Sequence, residues 1–586
     1  MLVFLYMNSE TKNCQNCKTD FTIEPEDFAF YEKIKVPAPT FCVDCAHQRR
    51  FSFRNTHSFY KRKDAFTGKD ILSIYSPDKN LVVIDQKDWW GDSWDPMDYA
   101  RDYDFTQPFF QQWKEFRDTF PLQSLSNSKA VNSEYCNVAL ESLDSYLVSA
   151  SWNCERVLYS DSVTAIKDSA DIHVVSRSEF CYWDVSCADS YKLLYSQDSS
   201  TCADSYFLYD CKGCSNCFMS SNIRNKSYVF RNQQLSKEQY LEKIKEIDFG
   251  SREIIEHLKK EFSSLKEHAV HRFAHISNSY NSTGNDSSNI KNCKNCFNIT
   301  DGAEDCKNVF WGGMNAKEMY NSGPGIGSGQ LMYEVTDTGL NGNRNLFTSV
   351  VYGGLNIEYA FNCYNCAHVF GCIGLRNKKY CIFNKQYSKE EFEELVPKIK
   401  QHMMDMPYVD GAGLVYRYGE FFPSEFSPFC YNETVAQDYF PLTQEQAKQK
   451  SLSWKEKDTK GYVPTMNASE LPDNIHDVTD EILKEIIQCA HEGVCEDRCS
   501  TAFKVTKDEL AFYKRMNIPL PHLCYGCRHA ERFKMRNPIK LWHRSCMCDI
   551  QNHDHDGKCP NEFETSYAPD RSEKVFCEGC YQKEVL

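Results

Sequence analysis

Two close-set pairs of cysteines occur at both ends of this chain, and that duplication constrains the fold more than any other feature. Near the N-terminus Cys14 and Cys17 precede Cys42 and Cys45, with 24 residues between the pairs; near the C-terminus Cys495 and Cys499 precede Cys524 and Cys527 across the same interval. The residues between agree as well. Ala29-Phe30-Tyr31 returns as Ala511-Phe512-Tyr513, Pro37-x-Pro39 as Pro519-x-Pro521, Arg50-Phe51 as Arg532-Phe533 and Arg54-Asn55 as Arg536-Asn537. Thiol pairs at this spacing suit one tetrahedral ion held by four thiolates, and zinc is the ion that such a ligand set favours. Zinc is therefore expected at each end, in preference to disulfides or isolated buried thiols.

The register continues past the shared Arg-Asn. Asp64, Asp70, Asp85 and Asp88 of the N-terminal copy fall opposite Cys546, Cys559, Cys577 and Cys580 of the C-terminal copy. The four cysteines have the makings of a second zinc site, with Cys548, His553 and His555 as spare candidates, the two histidines in the turn-like HDHDGK insertion. For the aspartates the plain reading is a lost site refilled by hydrogen bonds. The sharper one is a carboxylate set for a harder ion such as calcium or magnesium.

The end modules resemble the treble-clef or zinc-ribbon modules described as probable zinc-binding domains in bacterial proteins. The likeness lies in the Cys-x2-Cys pair with a Phe soon after, the acidic stretch leading to Phe-Tyr, the Pro before the second pair and the basic helix that follows. It covers about 45 residues at each end, and Cys495-x3-Cys499 departs from the two-residue spacing. The whole chain resembles a family of large, cysteine-rich, uncharacterised bacterial proteins. The resemblance implies architecture and little chemistry.

Between the modules the pattern changes to short apolar dipeptides set among Ser, Asp, Asn and Cys. Cys187-Ala-Asp-Ser-Tyr191 and Cys202-Ala-Asp-Ser-Tyr206 are near-copies. Cys211-x2-Cys214 followed by Arg224-Asn225-Lys226 returns as Cys363-x2-Cys366 followed by Arg376-Asn377-Lys378. Short strands joined by polar turns at a repeated interval suggest two tandem β-solenoid units of the β-helix kind, each closed by an amphipathic helix capped by Ser236 or Ser388. Interior cysteines such as Cys154, Cys181, Cys187, Cys202, Cys293, Cys306, Cys372 and Cys381 are expected as stacked small hydrophobes. The glycine-rich Gly323–Gly329 lacks the Lys-Ser/Thr end of a phosphate loop and reads as a turn between coils. The aromatic run from Trp89 to Trp113 reads as a plug seating the N-terminal module on the first unit.

The expected fold is thus multidomain and mostly β, with treble-clef-like zinc modules flanking the solenoids. The division is an N-terminal module with one degenerate site at 8–90, an aromatic connector at 91–130, solenoid units at 131–275 and 276–405, a linker at 406–488 and a two-site zinc module at 489–586. No apolar run reaches the roughly 20 residues that span a bilayer. The segment Met1–Met7 lacks the basic start of a secretory signal. Thirty cysteines at ligand-type spacings point to reduced thiols and a cytoplasmic location.

Three functions fit. The first is a zinc-binding, non-catalytic binding or scaffold protein, because four protein ligands per ion leave no position for a catalytic water. The second is nucleic-acid binding through Arg49, Arg50, Arg54, Arg62, Arg532 and Arg536, which form basic islands on a chain of net charge −15. The third is a carbohydrate-active β-helix enzyme using two of Asp168, Asp171, Asp184, Asp189 and Asp204 as acid and base. Asp is also the expected turn residue in such a repeat, and no catalytic triad or Cys-His nucleophile pattern stands out. A protein or nucleic-acid partner suits the chain better than a membrane.

Overall fold

The structure is a computed structural model that describes residues 8–456, 463–551 and 553–585; the Met1–Met7 segment lies outside them. Strands dominate, with 12 α-helices among the described residues. The chain forms two compact units, neither continuous in sequence. One comprises Met1–Leu125, Ala274–Glu456 and Ile539–Leu541; the other comprises Ser126–Phe273, Lys457–Pro538 and Trp542–Leu586. No helix among the described residues is long and apolar enough to cross a membrane.

The second unit is built on a nine-stranded sheet running from Asn137–Leu143 to Gln233–Gln234 in sequence order. Its rungs are parallel and in register: Asn137 pairs with Ser149, Ser149 with Asp161 and Asp161 with His173. Every third backbone position from Lys129 to Arg231 is left-handed, with φ between 45° and 67°. Each such corner costs a non-glycine residue on the order of 1 kcal/mol, so the ladder must recover that energy elsewhere.

It does so through hydrogen bonds that run from one rung to the next. The Ser160 hydroxyl donates to the Leu158 carbonyl (2.8 Å) and accepts from the Ile172 amide (3.3 Å). Ser196 repeats the arrangement with the Leu194 carbonyl (3.1 Å) and the Leu208 amide (2.9 Å), and Ser178, Ser190 and Ser199 follow suit. Cysteine takes the same inward slot: Cys202, Cys211 and Cys217 each lie 3.3–3.4 Å from the carbonyl two residues earlier. Asp184, fully buried, accepts from the Ser196 amide at 2.8 Å, and burial pushes its carboxyl well above the usual range. The eight interior cysteines named above are all buried and unbridged.

The first unit carries the second ladder, a 13-stranded sheet with a less even step. Gly284 pairs with Cys296, Phe297 with Phe310, Gly329 with Gly342 and Asn343 with Leu355, and a separate two-stranded pairing sets Ile276 against Ser287. The changes of step are absorbed by glycine. At Gly313 φ is 136° and a Cβ would meet the Thr300 carbonyl oxygen at 1.7 Å, so only glycine fits. In the Gly323–Gly329 run the amides of Gly323 and Gly327 bond the Val335 and Thr338 carbonyls on the next rung, and that of Gly325 bonds the Trp311 carbonyl on the previous one.

Each ladder ends alike. The last strand folds back antiparallel, Gln233–Gln234 on Val229–Phe230 and Lys385–Gln386 on Lys379–Ile382, and a helix follows. Ser236 caps Lys237–Lys245 and Ser388 caps Lys389–Asp405, each in a reciprocal capping box. In the second unit a further helix, Arg252–His268, lays Ile255, Leu258 and Phe262 into the core.

The aromatic plug differs from expectation. Trp89, Phe109, Phe110 and Trp113 pack on Tyr359, Phe361, Tyr364, Phe370 and Phe383 of the second ladder, not on the first. Chain proximity pointed to the nearer ladder; ring complementarity chose the farther one. The stretch expected as a linker, 406–488, divides between the units. Phe421, Phe422 and Phe426 are wholly buried in the core of the first, and Ile475, Ile482 and Ile487 are buried in that of the second.

Replacing Ser196 by Ala leaves the Leu208 amide buried without its acceptor, at a cost of about 1–3 kcal/mol. Ser162, at a corner position and only half-buried, makes no such inward bond. Chemical denaturation is expected to show a clearly lower midpoint for Ser196→Ala and little change for Ser162→Ala. Equal midpoints for the two variants would remove the rung-to-rung bond as the source of ladder stability.

Candidate metal centres

The N-terminal module is a hairpin followed by two helices. Strands Glu10–Asn13 and Asp20–Ile23 pair antiparallel, and the tight turn between them carries Cys14 and Cys17. Helix Pro25–Ile34 follows; then Cys42 sits at the N-cap of Val43–Phe51 and Cys45 lies in its first turn. The four sulfurs come within 4.8 Å of one another. Cys17 and Cys42 are 3.6 Å apart. A tetrahedral Zn–S₄ site with bonds of about 2.3 Å has sulfur–sulfur edges of about 3.8 Å, whereas a disulfide needs about 2.05 Å.

The surroundings act unevenly on the thiols: burial raises Cys14, and a hydrogen bond with Cys45 together with burial raises Cys42. The Cys42 amide donates to the Cys14 sulfur (3.2 Å) and the Asn16 side-chain amide to that of Cys45 (3.2 Å). Burial would raise the Cys17 thiol, but hydrogen bonds from Thr19, Cys14 and Cys42 outweigh it and bring the thiol down to about 6.

In the C-terminal module the structure brings together Cys489, Cys499, Cys524 and Cys527. Cys489, not Cys495, occupies the place of Cys14, and two hydrogen bonds identify it. The Cys489 amide donates to Thr501 O as Cys14 does to Thr19 O, and the Cys524 amide donates to the Cys489 sulfur (3.3 Å) as Cys42 does to Cys14. The turn between paired strands Ile487–Gln488 and Ala502–Phe503 is therefore enlarged relative to its N-terminal counterpart. Cys495 rides on the enlargement and falls in an adjoining group with His491 and Cys527, its sulfur 3.6 Å from that of Cys527. Cys495 is the cysteine nearest before Cys499, one residue off the Cys14–Cys17 spacing; the signal for Cys489 was the apolar pair Ile486-Ile487, which marks the first strand of the hairpin.

Cys546, Cys559, Cys577 and Cys580 form a further quartet, again a hairpin turn plus a helix start. Cys546 follows Trp542–Ser545, which pairs with Glu562–Thr565, and Cys577 and Cys580 lie before and in the first turn of Glu578–Val585. The Cys577 amide donates to the Cys546 sulfur (3.2 Å), and the Asn561 amide donates to Cys577 (3.3 Å). Against the opposing effect of burial, such donors bring the Cys577 thiol down to about 7.

Among the matching aspartates, Asp64 takes over a bond of its cysteine counterpart. Asp64 Oδ2 accepts from the Asp85 amide (2.6 Å), the bond that Cys546 makes with Cys577. Asp64 Oδ1 accepts from the Phe66 and Thr67 amides, Asp70 pairs with Lys63 (2.7 Å) and Asp85 caps the Lys87 amide (2.8 Å).

The arginines assigned to phosphate contact lie elsewhere than on an open basic face. Arg49, Arg50, Arg54 and Arg532 are buried. Arg49 bonds Glu420 (3.1 Å), Arg50 pairs with Glu334 and Arg54 with Asp337, all within the first unit. In the second, Arg532 (2.7 Å) and Arg528 (2.6 Å) share Asp171. Arg62 donates to the Leu81 carbonyl (2.8 Å), and Arg536 is half-buried. Contact with a phosphate requires breaking these ion pairs, and removing one partner of a buried pair costs about 3–5 kcal/mol.

These contacts instead seat each module on a ladder. Tyr31 meets Tyr333 and Phe30 stacks on Tyr320 at 3.9 Å, while Tyr513 and Phe512 meet Tyr182. The N-terminal module thus rests on the second ladder and the C-terminal module on the first. The ladder aspartates are similarly committed: Asp168 to Arg156 and Arg515, Asp171 to Arg528 and Arg532, Asp189 to Arg177.

Comparison with protein-family models and with curated proteins finds no match to this chain. The cysteine groups at both ends are suited to metal ions by ligand identity, number and spacing.

Two outcomes follow from this geometry. Under chelator competition Cys489→Ser is expected to lose one zinc ion and Cys495→Ser to keep the wild-type count, read by mass spectrometry of the intact protein; the reverse order would return Cys495 to the quartet. The second concerns His173, buried against His529 and Phe533 with Nδ1 3.3 Å from Asp161. Burial holds its pKa below the ordinary value despite Asp161. The unfolded chain then takes up a proton first, so this contribution is intact above about pH 6.5 and is lost as pH falls below it. The drop in melting temperature between pH 7 and pH 5 is expected to be smaller in His173→Gln than in the wild type, and an equal or steeper drop would contradict that.

Proposed function

We propose that this protein is a zinc-binding, non-catalytic scaffold in which each of two β-solenoid units carries its own treble-clef-like module. The observation that carries the reading is the set of three quartets of cysteine sulfurs, each gathered within 4.8 Å. Four thiolates complete the coordination of zinc and leave no place for a substrate or a reactive water. The rung-by-rung parallel pairing with its regular left-handed corners supports the solenoid description, and the quartets at hairpin turns and helix starts support the treble-clef one. Long laddered faces are surfaces on which partners are gathered, and reduced thiols in this number fit a cytoplasmic setting.

The burial of Arg49, Arg50, Arg54 and Arg532 weighs against nucleic acid as the partner. The reading is tested by isolating the protein from its own cell and identifying what accompanies it. A protein partner that persists through nuclease and high salt is expected, together with at least three zinc ions per chain. Nucleic acid released by salt, or a chain with one zinc ion or none, would overturn it.

A further inference from the structure

The C-terminal quartet has a second group of ligands against it. Cys548, His553, His555 and Cys580 also lie with their ligand atoms within 4.8 Å of one another. Cys580 therefore belongs to both groups: to Cys546, Cys559 and Cys577 on one side, and to Cys548 and the two histidines on the other. We propose that this module binds two zinc ions here, bridged by the Cys580 thiolate, with Cys548, His553 and His555 completing the coordination of the second ion. The inference rests on the reading that the Cys546 quartet holds zinc.

Three observations support it. First, the spacing is that of ligands around an ion. Cys548 Sγ and His553 Nδ1 are 3.1 Å apart and Cys580 Sγ and His555 Nε2 are 3.4 Å apart, close to the edge of about 3.5 Å expected between sulfur and nitrogen on tetrahedral zinc.

Second, His555 is oriented from behind, as metal-bound histidines are. His555 Nδ1 donates to the Gly557 carbonyl at 2.8 Å, which fixes the tautomer that turns the Nε2 lone pair toward Cys580. His553 turns Nδ1 toward Cys548 and presents Nε2 to Glu584, 3.9 Å away. The loop bearing both rings is tied to the last helix by the Asp554–Lys583 ion pair. Its turn is completed by Gly557 at φ 71°, matching Gly68 in the N-terminal copy.

Third, the charge balance of five thiolates favours it. Five thiols, Cys546, Cys548, Cys559, Cys577 and Cys580, are each less than a tenth exposed. As thiolates around one dication they leave three net negative charges in a buried place; a second dication reduces that to one, and buried uncompensated charge is what proteins avoid.

The test counts ions in the full-length protein by native mass spectrometry. The double variant His553→Gln/His555→Gln is expected to carry one zinc fewer than the wild type and to keep the Cys546 quartet filled. The wild-type chain exchanged into cadmium is expected to show coupling between two cadmium nuclei in NMR, the signature of a shared sulfur, and this needs no substitution. An unchanged zinc count in the double variant, or cadmium signals without coupling, would overturn the bridged pair. Cys559→Ser separates the two claims, since Cys559 serves only the quartet. If it loses zinc while the double variant does not, the bridged pair fails and the quartet stands; if neither variant loses zinc, both fail.

Discussion

The ladders stand or fall on one requirement, that each inward backbone amide find an acceptor one rung away. Left-handed corners at every third residue turn the chain so sharply that little interior volume remains. Ile166, Ile172, Leu193 and Leu208 fill part of it, and the inward side chain set against a backbone amide must be small and must accept a hydrogen bond while satisfying its own donor. Serine meets all three demands, cysteine meets them with a weaker bond, and Asp184, its carboxyl raised by burial, accepts from the Ser196 amide in the same way. The Ser- and Cys-rich composition of the middle of the chain thus follows from backbone geometry. It also sets ladder cysteines such as Cys202, Cys211 and Cys217 beside carbonyl oxygens, whereas the module cysteines gather in quartets.

The module cysteines were legible in the sequence because their pairs sit in a pattern duplicated at both ends; pairing alone did not mark them, since Cys211-x2-Cys214 and Cys363-x2-Cys366 lie inside the ladders. The repeated ends of the ladders and their helix caps were legible because Ser236-Lys237-Glu238 and Ser388-Lys389-Glu390 repeat, each with Gln or Glu next. Cys489 was not, because an enlarged turn changes the spacing while preserving the hairpin that defines the ligand. The basic islands misled in a different way. Arg50 and Arg532 read as surface charge, yet their partners Glu334 and Asp171 lie hundreds of residues away in the chain. Linear charge patterns do not show a pairing set by tertiary contact.

The two copies of the module illustrate how a fold outlasts a ligand set. Asp64 accepts the backbone amide that Cys546 accepts in the other copy. The carboxylate thereby holds the two halves of the subdomain at the place where a thiolate does so elsewhere. A hairpin and a helix start are common to both copies, and what differs is whether the crossing point is closed by hydrogen bonds or offered to an ion.

The pairing of modules with ladders is interleaved along the chain: the first segment packs with the third, and the second with the last. During synthesis, then, the N-terminal module leaves the ribosome well before the ladder it rests on, with the whole first ladder passing in between. That first ladder must wait in turn until the final residues emerge before its aromatic and aspartate-bearing face is covered. Neither unit can be finished early. A ribosome that stalls past residue 273 but short of the C-terminal module leaves a ladder with an uncovered face, so the length of the nascent chain determines how long adhesive surface stays open to the cell.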